Sequence, residues 1–279
     1  MPSARAPIGV FDSGVGGLSV LRPLRQQLPA ESFVFFADQA HVPYGPRPLD
    51  EVRRFSVGIT RFLIEQGARL IVVACNTASA AALQHLRQTF PGIRFVGMEP
   101  AVKPAAEQTR TRAVGVLATP ATFQGALFAS VVERFAQGVS VLPQTLPGLV
   151  ERIEAGDLDG PETRRIVEAG VRPLVAQGVD TLVLACTHYP FVIPLIEDVA
   201  GPGVRVIDPS PAIARQAARL LAEGDQTAAS AAARGTTFVS SGDAAGLARM
   251  AKRLIGETGE ARHAGWDADG VRLTLQVSP

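Results

Sequence analysis

The sequence predicts an α/β protein made of two pseudo-symmetric lobes, each carrying a parallel sheet, that face a shared central cleft. Short β-rich apolar runs alternate with amphipathic segments, the order expected of strand–helix units on a parallel sheet. Two pairs of segments recur along the chain at nearly one offset. Hydrophobic residues make up 47% of the 279 and charged residues 19%, which excludes disorder and allows a sizeable core.

Taken in order, IGVF at 8–11 and FVFFA at 33–37 are apolar runs of strand length. A helix is predicted over 50–66, where Val52, Phe55, Ile59, Phe62 and Leu63 fall on one face and Gly67 marks the stop. LIVVA at 70–74 is the next strand, followed by a helix over 77–89 and the strand RFVG at 94–97. The second half repeats the pattern with strands at 113–117, 139–142, 181–185 and 204–207, and with helices over 121–136 and 161–177. Helices over 211–222 and 244–255 close the chain. The stretch 224–235, rich in Ala with Gly and Thr, reads as a loop or a frayed helix end.

PIGVFDSGVGG near residue 8 parallels AVGVLATPATF near residue 114, at a shift of 106 from Ile8 to Val114. VVACNTAS parallels VLACTHYP, at a shift of 111 from Cys75 to Cys186. The expected division is one lobe from residues 1–98 plus about 210–279, carrying Cys75, and a second from about 99–209, carrying Cys186. Ligands of open α/β sheets bind beyond the carboxyl ends of the strands, so facing lobes would aim both thiols into one cleft.

Charge excludes several function classes. Twenty-seven Lys and Arg against 26 Asp and Glu leave a formal net charge of +1, which is no footprint for nucleic acid. The apolar run at 70–75 is far short of the ~20 residues of a membrane helix. Asp12 and a glycine cluster arrive before any signal-peptide core. A soluble, cytoplasmic protein with no membrane partner is expected.

The segment Asp12–Gly17 reads DSGVGG between a strand and a helix. A dinucleotide fingerprint would need glycine where Ser19 stands, and no lysine completes a P-loop. An anion or carboxylate site on backbone N–H groups is the better reading, with a structural turn as its rival. Asp12 fits neither, because a carboxylate would repel an anion.

Cys75-Asn76-Thr77 and Cys186-Thr187-His188 each close an apolar run and open a helix, where the dipole favours a thiolate. One such cysteine would be a buried apolar residue on balance, but two in matching contexts point to chemistry. Redox chemistry would favour a Cys-x-x-Cys spacing, which is absent. Zinc would need three or four ligands, and of the four histidines (41, 85, 188, 263) His188 alone neighbours a thiol. Inverting a stereocentre needs two similar bases on opposite faces, whose roles exchange when the reaction reverses. Asp12 and His188 are candidates to tune the two thiols. The repeat places Ala118 where Asp12 would be and Thr77 where His188 would be, so the halves would tune their cysteines differently.

At these residues the sequence resembles the glutamate racemases of the aspartate/glutamate racemase superfamily. The resemblance rests on IGVFDSGVGGLSV at 8–20, ADQAHVPYG at 37–45, VVACNTASA at 72–80 and LACTHYP at 184–190, with DPS at 208–210 and FVSSGD at 238–243. It implies direct racemisation of L- and D-glutamate with no cofactor and no metal, supplying D-glutamate for bacterial peptidoglycan, by a homodimer. By that resemblance Cys75 acts on the D-enantiomer with Asp12, and Cys186 on the L-enantiomer with His188. Glu154, in LVERIEAG, would be a further acid near Cys186. Ser13, Tyr44, Gly45, Asn76, Thr77 and Thr187 would hold the substrate's amino and carboxylate groups. Without the resemblance, Tyr44-Gly45 would read as a turn, Thr77 as a helix cap, Asn76 as a loop residue and His188 as a surface residue. Because the first motif begins at Ile8, with no extension before it, no activation by a cell-wall precursor is expected. Rival functions are an aspartate or hydantoin racemase, a two-lobed amino-acid-binding protein and a thiol-redox protein.

Overall fold

The structure, a computed structural model, describes residues 6–223 and 235–276. The first half runs β1 (Ile8–Asp12), α1 (Leu18–Gln27), β2 (Phe33–Ala37), α2 (Leu49–Glu65), β3 (Leu70–Val73), α3 (Asn76–Thr89), β4 (Arg94–Gly97) and α4 (Val102–Gln108). Next come β5 (Ala113–Ala118), α5 (Pro120–Gln124), α6 (Ala126–Phe135), β6 (Ser140–Gln144), α7 (Leu149–Glu154), α8 (Pro161–Ala176) and β7 (Thr181–Ala185). A 3₁₀ turn (Tyr189–Val192) leads into α9 (Ile193–Ala200), β8 (Arg205–Ile207) and α10 (Ser210–Glu223). The chain closes with β9 (Thr236–Ser240), α11 (Ala244–Ile255), β10 (Gly259–Trp266) and β11 (Leu273–Leu275). Apart from Gly235, the predicted loop at 224–235 lies outside the described residues.

The strands form two sheets, ordered β11-β10-β9-β2-β1-β3-β4 and β6-β5-β7-β8. Every pairing is parallel except β10 with β11. The order β2-β1-β3-β4 recurs as β6-β5-β7-β8, so the repeat read from the sequence is a repeat of topology. The first sheet is longer by three strands, β9 to β11, which were not predicted. β10 reads GEARHAGW and is largely exposed, so it lacks the apolar alternation that marks a half-buried strand.

Period-two alternation divides the first sheet's residues between its two faces. Ile8 and Val10 pack with Leu18, Leu21 and Leu24 of α1 on one side. Phe11, Phe36, Ile71 and Val73 pack with Phe55, Ile59 and Phe62 of α2 on the other. Each such side chain, removed from water, contributes about 1.5–3 kcal/mol. The predicted helix over 121–136 is two helices. Gly125 between them is extended, and a Cβ there would lie 2.7 Å from the Cβ of Ala80, so α3 packs against the break. Among the described residues, no helix is long and apolar enough to cross a membrane.

Candidate active site

The carboxyl ends of β1, β3, β5 and β7 meet around a small cavity. Ser13, Tyr44, Gly45, Cys75, Asn76 and Thr77 line it from the first sheet's side. Cys186, Thr187 and His188 line it from the second sheet's side, after β7. Asp12 and Glu154 stand behind this wall and act on the residues that form it.

Cys75 is the N-cap of α3, and its Sγ accepts from the Ala78 N–H at 3.5 Å. Asp12 is the last residue of β1 and is fully buried, near the Cys75 thiol. Burial raises the Asp12 carboxyl above the usual carboxylate range, against the opposing pull of His188 and the Cys75 thiol. Burial first, and then the Asp12 carboxylate, push the Cys75 thiol well above its ordinary value.

Cys186 has a different neighbour. Its Sγ lies 3.8 Å from Nδ1 of His188, whose Nε2 meets Oε1 of Glu154 at 2.6 Å. Burial works against a charged imidazole, but hydrogen bonding to Cys186 and Glu154 outweighs it and holds His188 well above its ordinary value. One thiol is therefore backed by a carboxyl group and the other by an imidazolium–carboxylate pair.

The glycine segment has a use the sequence reading did not identify. Its backbone donors are taken by the protein's own carboxylates: Val15 N–H donates to Glu154 at 2.8 Å and Gly17 N–H to Asp12 at 2.6 Å. These two amides are not free for a ligand, which narrows the anion-site reading to the rest of the segment and explains how Asp12 fits it. The glycines permit the approach. A Cβ on Gly16 would lie 2.5 Å from Nδ1 of His188, and one on Gly17 2.7 Å from Cβ of Asp12. A Cβ on Gly14 would overlap the Glu154 carboxylate.

Thr187 extends its hydroxyl to within 3.4 Å of Asp12 Oδ2, and its carbonyl accepts from Ser19 Oγ at 2.8 Å. Asn76 is buried with neither amide atom partnered among the described residues, so its donor and acceptor are available to whatever enters the cavity. Thr77 Oγ1 lies 2.8 Å from Thr119 Oγ1 and 3.3 Å from Thr122 Oγ1. Tyr44 directs its hydroxyl to Asp38 at 2.6 Å, and burial followed by that carboxylate raises the phenol well above its ordinary value.

The sequence family model for Asp/Glu/Hydantoin racemase matches residues 8–217. The chain belongs to this family. It is an isomerase, an amino-acid racemase. The glutamate racemase of Ectopseudomonas mendocina (strain ymp) is 50% identical to it over 257 residues, 92% of this chain and 97% of that one. The solved structure of glutamate racemase isoform RacE1 from Bacillus anthracis superposes with a TM-score of 0.84 at 29% identity, covering 96% of this chain and 100% of its own. Escherichia coli glutamate racemase, in complex with L-glutamate and the activator UDP-MurNAc-Ala, superposes with a TM-score of 0.79 at 31% identity, covering 98% and 100%.

In this racemase all eleven residues singled out from the sequence converge on one place. The cavity has further lining residues that sequence reasoning missed, Pro43, Thr119 and Val150. Thr119 was within reach, since the shift of 106 that carries Asp12 to Ala118 carries Ser13 to Thr119. Val150 sits on α7, a helix too short to leave a periodic signal.

Proposed function

We propose that this racemase interconverts L- and D-glutamate by moving the Cα proton between two thiols, Cys75 and Cys186. The observation that carries the reading is the placement of these cysteines. They follow topologically equivalent strands, β3 and β7, and line one cavity, each with its own acid–base partner. A thiolate on one face removes the α-proton while the thiol on the other face delivers one, and the reverse reaction exchanges their roles. Asp12 serves Cys75, and His188 with Glu154 serves Cys186.

The α-proton beside a carboxylate is weakly acidic, so the developing negative charge needs donors that are already in place. Asn76, Ser13, Thr187 and the hydroxyls of Thr77 and Thr119 supply them around a zwitterion with two carboxylates. The relatives at about half identity are glutamate racemases, which supports glutamate over aspartate or hydantoins. The wider reading is a cytoplasmic homodimer of two-lobed subunits, with the lobe division set out above, that makes D-glutamate for peptidoglycan. Its two free thiols suit a reducing compartment.

Circular dichroism of L-glutamate with purified protein and reductant, and no added cofactor, tests this. The signal is expected to decay to zero, as is that of D-glutamate. Cys75→Ser and Cys186→Ser should each abolish the decay. A constant glutamate signal beside a decaying aspartate signal would move the substrate, and full two-way activity in either serine variant would remove the two-base assignment.

A further inference from the structure

Asp38 follows β2 directly, fully buried at the carboxyl end of the sheet. Four side chains donate to its carboxylate. Oδ1 accepts from Ser241 Oγ at 2.7 Å and Trp266 Nε1 at 2.8 Å. Oδ2 accepts from the Tyr44 hydroxyl at 2.6 Å and His41 Nδ1 at 2.9 Å. Such charge-assisted bonds are short and strong, and four of them leave the carboxylate one orientation.

The donors come from two regions. Tyr44 and His41 belong to the loop after β2, whose Tyr44 and Gly45 line the substrate cavity. That loop reaches the second sheet: the Gly45 carbonyl accepts from Ala121 N–H at 3.2 Å, and a Cβ on Gly45 would lie 2.8 Å from Cβ of Thr119. Ser241 and Trp266 follow β9 and end β10, beyond residues 8–217 matched by the family model. Trp266 is seated for this task. Gly58 of α2 leaves room for the indole, since a Cβ there would lie 2.6 Å from the ring. The indole edge meets the His41 ring at 5.5 Å between centroids, and His41 stacks on Phe55 at 3.8 Å.

We propose that Trp266 and Ser241 are positioning residues of the substrate cavity: through Asp38 they hold the Tyr44 hydroxyl, and with it the Tyr44–Gly45 wall that closes the cavity toward the second sheet. The carboxyl-terminal strands are then part of the active site's support, although they reach no substrate atom themselves. What the cavity binds rests on the racemase reading above; the relay does not.

Two measurements on the full chain test it. Trp266→Phe keeps an aromatic ring and removes the donor, and Ser241→Ala removes the other donor to Oδ1. Each is expected to raise KM for both enantiomers about three- to tenfold while kcat stays within about twofold, the mark of lost uniform binding. A merely structural strand would lower the melting temperature without that split. Joining Trp266→Phe to Tyr44→Phe should raise KM no further than the worse single change, because both act through one carboxylate. Trp266 is the single tryptophan of the chain, so its emission reads the relay without any turnover. Tyr44→Phe is expected to shift that emission. Unchanged KM in both donor variants, multiplicative effects in the double variant, or unchanged emission in Tyr44→Phe would each overturn the proposal. If the unaltered protein racemises no glutamate, the reading of the reaction fails instead, and the emission measurement alone decides the relay.

Discussion

His188 lies between a thiol and a carboxylate, and its charged state is the electrostatic pivot of the site. Its folded value is raised, so the native state holds a proton that the unfolded chain releases near 6.5. That stabilisation is present in full below about pH 6.5 and is lost as pH rises through the raised folded value. The Asp12 carboxyl is also raised, by burial, so the His188 contribution is read as the difference between the protein and its His188→Asn variant over the interval from pH 6.5 to about 8. The melting temperature is predicted to fall with pH across that interval and to lose this slope in His188→Asn. A slope that persists in the variant would place its origin elsewhere. The identities of these residues were legible in the sequence, but their pairing was not. Glu154 reaches His188 across 34 positions, and Asp12 meets Thr187 across 175, contacts that the fold alone creates.

The segment from Ser13 to Gly17, which leads into α1, is the element on which both acid–base partners converge. Two of its amides hold the two carboxylates, and its glycines let His188, Glu154 and Asp12 approach the backbone. Gly16→Ala forces His188 aside and is predicted to cost ~100-fold or more in racemisation, the scale of a 1 Å misplacement. Gly92→Ala, where a Cβ meets nothing within 4 Å, should leave the rate unchanged. Comparable rates in the two variants would show that the close approach at Gly16 is dispensable. The strands that end at the cavity were legible because they are continuous apolar runs, buried along their length, as parallel strands covered on both faces must be. β9 to β11 and α7 were not: β9 opens and closes on hydroxyl residues, β10 lacks apolar alternation, and β11 and α7 are too short to leave a periodic signal. The break between α5 and α6 escaped notice because Gly125 is required by Ala80, forty-five positions away, not by its neighbours in sequence.

At the scale of the whole molecule, two sheets of matching strand order present matching strand ends to one cavity, and the equivalences are chemical as well as topological. Cys75 corresponds to Cys186, Ser13 to Thr119 and Asn76 to Thr187, whereas Asp12 corresponds to Ala118 and Thr77 to His188. In the proposed two-base reaction, whose two directions are mirror images, the first set of equivalences is what the chemistry asks for. The departures in the second set give each thiol its own partner. Two internal offsets in the sequence were enough to expose this plan, since a repeated strand end keeps its residues wherever the chain must turn into the same cleft. The three added strands broke the repeat silently, and their support of the Tyr44–Gly45 wall became visible in the fold. The two-base claim is tested most directly by running the reaction in deuterium oxide from pure L-glutamate and, separately, from pure D-glutamate, and reading the Cα isotope early in each. Deuterium is predicted in the newly formed enantiomer while the remaining substrate keeps its protium, because the delivering thiol carries a solvent-derived proton. Deuterium appearing equally fast in the recovered substrate, or a product that retains the original protium, would contradict the account.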